Sequence, residues 1–274
     1  MSIINYDIDS RGRWAEYWGV SGFRYVEFNS IEGLRGELAA GRISLVAVCS
    51  LEMEELDFPS GPVISALTDG ERSRLGTVRH PGARGRYLAS RLLVKAVCAA
   101  LGGTPAISVE TAAGSGGRLV LNGPLARSHV SLSHTRGAAA FAISATAPIG
   151  VDIERFRRPP LAVAKKYFSA VELDAIESAE SPSAGFFRLW TLKESLAKLE
   201  GKGILRVLRE YEFSFADGRA RCRNKTNGLP PPARFESAIL GRYALGAAFG
   251  GADAQPVLAG PMDLGGLMRA ARIL

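Results

Sequence analysis

Two long stretches of the chain repeat apolar residues with helical spacing, and short apolar runs of strand length lie on either side of each. The first stretch, 83–101, is followed by Gly102-Gly103 as a helix stop, and the second, about 183–200, ends at Gly201. Short β-branched runs such as Ile43–Ser50 predict buried strands. Because the first half reads as a strand, a helix and then several strands, and the second half repeats this pattern, the sequence predicts an α+β fold.

Other local patterns add elements to this outline. Short apolar runs bounded by turn residues predict strands at about 119–122, 129–133, 138–144, 149–154, 211–215 and 243–249. The spacing of Ser169 and Glu172 predicts a helix start in which the two side chains satisfy each other's free backbone amides. On the first helix, basic residues between the apolar ones predict a basic face: Arg84, Arg86, Arg91 and Lys95.

These elements divide the chain into three parts. Residues 1–40 form an N-terminal extension with no clear periodicity, 41–147 a first α+β lobe and 148–274 a second α+β lobe. The lobes end in similar small-residue segments, Arg136–Phe141 and Gly246–Phe249, which leaves an internal duplication as an open alternative.

Composition excludes several classes of protein. The 34 Lys and Arg residues exceed the 27 Asp and Glu residues, and the net charge of +7 favours a polyanionic partner. The three cysteines include no C-x-x-C pair, so neither a disulfide framework nor a thiolate zinc site is predicted. The N-terminus lacks the order of a signal peptide, and the longest apolar runs are too short to span a bilayer. We therefore expect a cytoplasmic protein without a membrane partner.

Four charged residues form the strongest candidate for a chemical site. Asp152 and Glu154 lie two apart in a predicted strand, so both carboxylates project from one face. Glu194 and Lys198 lie four apart on the second helix and share one helix face. Carboxylates without an adjacent His or Cys suit Mg²⁺. Two simpler interpretations stay open: a solvated strand face for the first pair, and an ordinary surface ion pair for the second.

Both segments resemble the signature motifs of one family, the 4′-phosphopantetheinyl transferases of the Sfp type. The resembling segments are Gly150-Val-Asp-Ile-Glu154 and Trp190-Thr-Leu-Lys-Glu-Ser-Leu-Ala-Lys-Leu-Glu-Gly-Lys-Gly203. Val130-Ser-Leu-Ser-His134 is similar to the family's strand ending in Ser-His, and 67–101 is a looser match. The matches follow the family's order over roughly residues 65–250.

The resemblance implies two similar α+β lobes related by pseudo-twofold symmetry, with the active site and coenzyme A in the cleft between them. It implies a Mg²⁺-dependent transferase that moves 4′-phosphopantetheine from coenzyme A to a serine of an apo acyl or peptidyl carrier protein and releases adenosine 3′,5′-bisphosphate. Asp152, Glu154 and Glu194 take the family's metal-ligand positions, and Lys198 that of the lysine near the pyrophosphate. Glu194 is also expected to be the base for the serine proton, with a metal-bound water as the alternative.

The resemblance also implies coenzyme-binding residues ahead of the first signature motif. Ser133 and His134 take the place that contacts the 3′-phosphate and ribose. Basic residues in the places that contact the coenzyme's phosphates are Arg74, Arg86 and Arg118. The sequence departs from the family's pattern at Glu71, where some relatives have a basic residue, and at Arg118, which with the next leucine replaces Lys-Pro. A solvated surface role stays open for each of the three arginines.

A basic cluster follows the strand of the first signature motif: Arg155, Arg157, Arg158, Lys165 and Lys166. Because carrier proteins are typically acidic near the modified serine, the cluster is a candidate docking surface, with a merely solvated surface as the alternative. We expect a monomer without a nucleic-acid partner. A Mg²⁺-dependent phosphohydrolase or nuclease would use similar carboxylates and is the competing hypothesis. A non-catalytic binding protein is expected to lose one or more of the carboxylates, and none is lost.

Overall fold

The computed structural model describes residues 22–50, 62–114, 119–251 and 253–270, and it divides into two compact units. The first unit comprises the described residues of Arg24–Thr146 and Ala254–Leu274. The second unit comprises Ala147–Asp253 and the described residues before Arg24. This division differs from the predicted one. The described residues of 24–40 and those from Ala254 onward both belong to the first unit, whereas the predicted first lobe comprises 41–147 alone.

Runs of helices and runs of strands follow one another in both units. In chain order the strands are β1 (Arg24–Val26), β2 (Ile43–Ser50), β3 (Thr111–Ala113), β4 (Leu119–Leu121), β5 (His129–Thr135), β6 (Ala138–Ser144), β7 (Ile149–Arg155), β8 (Tyr211–Ala216), β9 (Arg219–Asn224), β10 (Ala233–Leu240), β11 (Tyr243–Gly250) and β12 (Gln255–Met262). The α-helices are α1 (Arg35–Ala39), α2 (Pro62–Ser65), α3 (Asp69–Thr77), α4 (Pro81–Gly102), α5 (Leu161–Tyr167), α6 (Ala170–Glu177), α7 (Pro182–Glu200), α8 (Ile204–Glu210) and α9 (Leu264–Ala270). Short 3-10 helices lie at Phe28–Leu34 and Ala106–Ser108. The predicted α+β class is confirmed. Within the described ranges, no helix is both long and apolar enough to cross a membrane.

The first unit is built on a mixed sheet with the strand order β1-β12-β2-β6-β5. β12 runs parallel to both β1 and β2, whereas β6 is antiparallel to both β2 and β5. Helix α4 contributes Leu93 and Val97 to the same buried core as Phe141 of β6. β12 follows the second unit in sequence, so the sheet of the first unit combines strands from both sides of the second unit in the chain.

A buried ion pair joins two helices of the first unit. Lys95 of α4 is fully buried, and its Nζ lies 3.2 Å from Oε2 of Glu71 in the first turn of α3. Lys95 also donates a hydrogen bond of 2.6 Å to the carbonyl of Val109, and Glu71 accepts one of 2.7 Å from the hydroxyl of Thr111. The predicted basic face of α4 is therefore wrong at Lys95, because a neighbouring carboxylate compensates its charge inside the core.

The second unit has an antiparallel sheet with the order β10-β11-β7, and α7 packs against it. Ser181 caps the start of α7 by accepting a hydrogen bond from the amide of Ala184. Gly201 ends the helix with a φ of 69°, a left-handed conformation that favours glycine. The buried side chains of Leu189, Leu192 and Leu196 form the core beneath it. Helix α7 thus begins within a few residues of the predicted start and ends at the predicted glycine.

Candidate active site

Two glycines allow α7 to lie directly on the strands that carry the candidate site. A Cβ atom on Gly150 of β7 would lie 1.9 Å from the carbonyl oxygen of Ser195, and one on Gly246 of β11 would lie 2.4 Å from the helix backbone. Gly246 is the cross-strand partner of Asp152. Because side chains alternate along a strand, Asp152 and Glu154 project from the same face of β7 as the helix-facing Gly150.

Lys198 ties the helix to this strand. Its Nζ donates a hydrogen bond of 2.8 Å to Oδ1 of Asp152 and another of 2.9 Å to the carbonyl oxygen of Val151. The side chain of Asp152 is only 9% exposed and that of Lys198 is 29% exposed. A charge-assisted hydrogen bond at this depth is stronger than a solvated surface pair. The lysine of one signature motif therefore contacts the aspartate of the other.

Glu194 lies one turn before Lys198 and experiences the same group of charges. Burial raises the pKa of its carboxyl to about 7, and repulsion from Asp152 and Glu154 acts in the same direction, while the Lys198 ammonium opposes the shift. A like charge disfavours ionisation of a carboxyl, so the charges of both strand carboxylates influence Glu194. The structure thus joins Lys198 directly to Asp152 and leaves Glu194 under the electrostatic influence of Asp152, Glu154 and Lys198.

Glu154 has a partner that the sequence did not predict. Nη1 of Arg157 lies 2.7 Å from Oε2 of Glu154, and its guanidinium lies over the ring of Phe187 at 4.6 Å. The sequence places Arg157 in the candidate docking cluster only because of its positive charge. Because β7 ends at Arg155, the chain turns directly after the strand and returns Arg157 towards the carboxylate of Glu154, one residue before that end.

The types of side chain at the site suit a divalent metal ion, but their positions in this structure do not form a metal site. In the described part of the chain, no group of three or more His, Cys, Asp or Glu side chains is gathered so that it could hold a metal ion. Asp152 is contacted by Lys198 and Glu154 by Arg157, so each carboxylate already has a cation beside it. The oxygen-only donors and the repulsion at Glu194 nevertheless fit a hard cation, which would relieve that repulsion.

The predicted coenzyme-binding residues lie on several elements of the first unit. Arg74 is exposed on α3 and Arg86 is partly buried on α4. Ser133 and His134 end a strand, β5, in which Ser133 is buried and His134 is exposed. Arg118 lies outside the described residues. Their predicted contacts with coenzyme A stay predictions.

A second buried ion pair adjoins the candidate site. Nζ of Lys193 lies 2.6 Å from Oε1 of Glu172, and both side chains are fully buried. The S-x-x-E spacing predicted the cap that Glu172 makes at the start of α6, and this cap is present. No local pattern indicates that Lys193, which directly precedes Glu194, is the other partner of this carboxylate.

Comparisons with known proteins point to one family. Residues 148–248 match the model of the 4′-phosphopantetheinyl transferase superfamily. The chain is 38% identical over 105 residues to the 4′-phosphopantetheinyl transferase psf-1 of Bacillus pumilus, which covers 37% of this chain and 45% of the relative. It is 30% identical over 157 residues to the 4′-phosphopantetheinyl transferase HetI of Nostoc sp., covering 55% and 65% of the two chains. It is 34% identical over 115 residues to the 4′-phosphopantetheinyl transferase Sfp of Bacillus subtilis, covering 38% and 51%. The chain thus spans between 45% and 65% of the length of these relatives, and the predicted resemblance to the Sfp-type family is confirmed.

Proposed function

We propose, because residues 148–248 match the model of the 4′-phosphopantetheinyl transferase superfamily, that the protein transfers 4′-phosphopantetheine from coenzyme A to a serine of an apo acyl or peptidyl carrier protein. Adenosine 3′,5′-bisphosphate is the second product. The observation that carries the proposal is the hydrogen bond between Lys198 and Asp152, which joins the two signature motifs beside Glu194. A phosphohydrolase or nuclease would need carboxylates but not this pair of motifs.

Glu194 is the proposed base. The serine oxygen attacks the β-phosphorus of coenzyme A, so a new P–O bond forms while the bond to the oxygen of the departing bisphosphate breaks. The hydroxyl proton passes to Glu194, whose pKa is raised to about 7 by burial and by the neighbouring carboxylates. A base is most effective when its pKa lies near the working pH.

Lys198 is the proposed electrostatic stabiliser of the departing group. Its ammonium is held by Asp152 and by the carbonyl of Val151, so it is positioned before any substrate binds. A positioned charge stabilises the negative charge that grows in the transition state without further reorganisation. Lys198 thus acts on the bisphosphate while Glu194 acts on the incoming serine.

Mg²⁺ is part of this proposal. Asp152, Glu154 and Glu194 would hold it, on the support of their oxygen donors and of the repulsion that raises the pKa of Glu194. When bound, Mg²⁺ would neutralise charge on the pyrophosphate oxygens. Lys198 contacts Asp152 and Arg157 contacts Glu154. Binding of the metal would therefore require each of these basic side chains to share its carboxylate with the metal.

The proposal extends to the coenzyme and carrier surfaces. Ser133, His134, Arg74, Arg86 and Arg118 are the proposed coenzyme contacts, in a cleft of a pseudo-twofold pair of lobes. The similarity of the two lobes is supported by one shared feature: each unit contains a buried Glu–Lys pair between a capping glutamate and a long helix. The basic residues after β7 are the proposed docking surface for an acidic carrier.

The direct test is transfer itself. The protein is incubated with coenzyme A, Mg²⁺ and separate apo-carriers, and each carrier is weighed by mass spectrometry. A phosphopantetheine adduct on the carrier serine is expected, and none on a carrier whose serine is changed to alanine. Hydrolysis of coenzyme A without an adduct on any carrier would favour the phosphohydrolase hypothesis instead.

A further inference from the structure

The two units contain the same buried arrangement of charges. In each, a short helix begins with a capping box, formed by Thr68 and Glu71 in α3 and by Ser169 and Glu172 in α6. The glutamate carboxylate is buried and ion-paired with a fully buried lysine on the long helix that follows. In the first unit this lysine is Lys95. A buried ion pair is costly to desolvate, so its presence in both units calls for a reason other than stability.

The pair of the second unit connects three elements. Lys193 of α7 donates to Glu172 of α6 and, over 2.9 Å, to the carbonyl oxygen of Tyr211 at the start of β8. Glu172 accepts a further hydrogen bond of 2.8 Å from the amide of Phe213 in β8. Each hydrogen bond has a preferred direction, so together they restrict how α7 can rotate about its own axis.

The rotation of α7 decides where the candidate catalytic residues point. Successive residues of a helix differ by about 100° in direction, so the inward direction of Lys193 fixes that of Glu194. Lys198 follows one turn after Glu194 and reaches Asp152 on β7. Apolar side chains in place of Glu172 and Lys193 would fill the same space, but they would not specify one orientation as hydrogen bonds do.

We propose that Glu172 and Lys193 are positioning residues that fix the rotation of α7, and with it the placement of Glu194 and Lys198 against β7. This inference rests on the proposed transfer function. Neither residue contacts the reacting groups, since both are fully buried. The corresponding pair of the first unit, Glu71 with Lys95, contacts α4, which carries none of the four charged residues of the site.

Two matched double variants test the proposal. Glu172→Gln with Lys193→Met removes the charges of the second unit at nearly constant volume, and Glu71→Gln with Lys95→Met does the same in the first unit. Transfer is measured as kcat, KM for coenzyme A and the Mg²⁺ concentration at half-maximal rate, and unfolding by circular dichroism. We expect the second-unit variant to lose about 10- to 100-fold in kcat and to need more Mg²⁺, as small misplacements of catalytic groups do. The first-unit variant should keep kcat and the Mg²⁺ concentration at half-maximal rate within about twofold of the wild type. This should hold even if its unfolding temperature falls as much as that of the second-unit variant.

The outcomes separate the two proposals. If the wild-type protein modifies no carrier, the proposed function fails; if it does and the second-unit variant keeps its kcat and Mg²⁺ dependence, only the positioning role fails. Equal losses of kcat in both variants would also overturn that role. Should the second-unit double variant not fold, Lys193→Met alone decides. It removes both hydrogen bonds that Lys193 donates, to Glu172 and to the carbonyl of Tyr211, so a folded variant with normal kcat and Mg²⁺ dependence overturns the proposal.

Discussion

Nζ of Lys198 lies 2.8 Å from Oδ1 of Asp152, so the cation of one signature motif neutralises a carboxylate of the other across the contact of α7 with β7. The same lysine contacts the backbone carbonyl next to that aspartate. A two-point attachment of this kind holds a flexible side chain in one rotamer, which is what a group acting on a transition state requires. It also means that changes at either residue alter the other.

Lys198→Ala should lower kcat strongly without weakening the response to Mg²⁺. Loss of one well-placed donor costs about 10²- to 10³-fold in kcat. Because Asp152 would then lack its cation, the Mg²⁺ concentration at half-maximal rate should stay the same or fall. The measurement is a Mg²⁺ titration of the transfer rate for the variant and the wild type. Normal turnover would reduce Lys198 to an ordinary surface partner of its neighbours.

Glu194→Gln should remove a pH dependence of stability from the metal-free protein. The pKa of Glu194 is raised from 4.5 to about 7 in the folded state, so between these values the folded protein holds a proton that the unfolded chain has released. The stabilisation from this group is complete below the lower value and is lost as the pH rises through about 7. The measurement is the thermal unfolding temperature in the presence of a chelator, at several pH values between these limits. This temperature should fall more steeply with rising pH for the wild type than for the variant. Parallel curves would contradict the raised pKa.

The sequence predicted best what depends on neighbours along the chain. Strands β2 and β6 have their predicted bounds, because each is a run of mostly apolar residues. Asp152 with Glu154, and Glu194 with Lys198, were found from spacings of two and four residues. Only the resemblance to a family linked the two pairs, since no local pattern shows which strand a helix packs against.

Long-range contacts account for what the sequence did not predict. Lys95 occupies a position that periodicity assigns to solvent, and the carboxylate of Glu71 reverses that assignment. Strand β12 contains Pro256 and Pro261, which disfavour a strand by pattern, yet it pairs with β2 in parallel. Strand β9 alternates arginine with smaller residues and so lacks an apolar run. For Lys95 and β12 the deciding partner lies far away along the chain, whereas β9 is ordered by its pairing with the adjacent strand β8.

Arg157→Ala and Arg158→Ala should differ although the residues are neighbours. Arg157 is paired with Glu154, so its removal takes a competing cation away from a proposed metal ligand and should lower the Mg²⁺ concentration at half-maximal rate by up to about fivefold. Arg158→Ala should leave that concentration unchanged and instead reduce the salt dependence of carrier modification. Rates measured against Mg²⁺ and against salt for both variants provide the check. Identical Mg²⁺ curves would show that the Arg157 pair has no influence on the site.

Arg74→Ala and Arg86→Ala should act on coenzyme binding. Contacts with phosphates far from the reacting phosphorus are alike in the ground and transition states, so KM for coenzyme A should rise about tenfold while kcat changes little. Arg72→Ala is a matched control on α3, because its guanidinium is already engaged by Asp69 and by the carbonyl of Leu67. Calorimetric titration with coenzyme A measures all three variants. An unchanged affinity removes the phosphate-binding role from the arginine concerned.

Gly150→Ala should disrupt the packing of α7 on β7, whereas Gly203→Ala should be tolerated, although both glycines lie in the signature motifs. A methyl group on Gly150 would lie 1.9 Å from the carbonyl oxygen of Ser195 and 2.8 Å from the amide of Leu199, so the helix backbone would have to move. Nothing lies within 4 Å of the corresponding position on Gly203, whose φ of −64° suits any residue.

Overpacking of a core typically costs about 1–3 kcal/mol, and a collision with a helix backbone belongs at or above the upper end of that range. Urea unfolding should therefore show Gly150→Ala destabilised by about 3 kcal/mol or more and Gly203→Ala within about 0.5 kcal/mol of the wild type. Any Gly150→Ala protein that remains folded should also lose the hydrogen bond between Lys198 and Asp152, since displacement of α7 moves the lysine away from the strand. A variant with wild-type stability would mean that α7 does not lie as close to β7 as the contacts of Gly150 require.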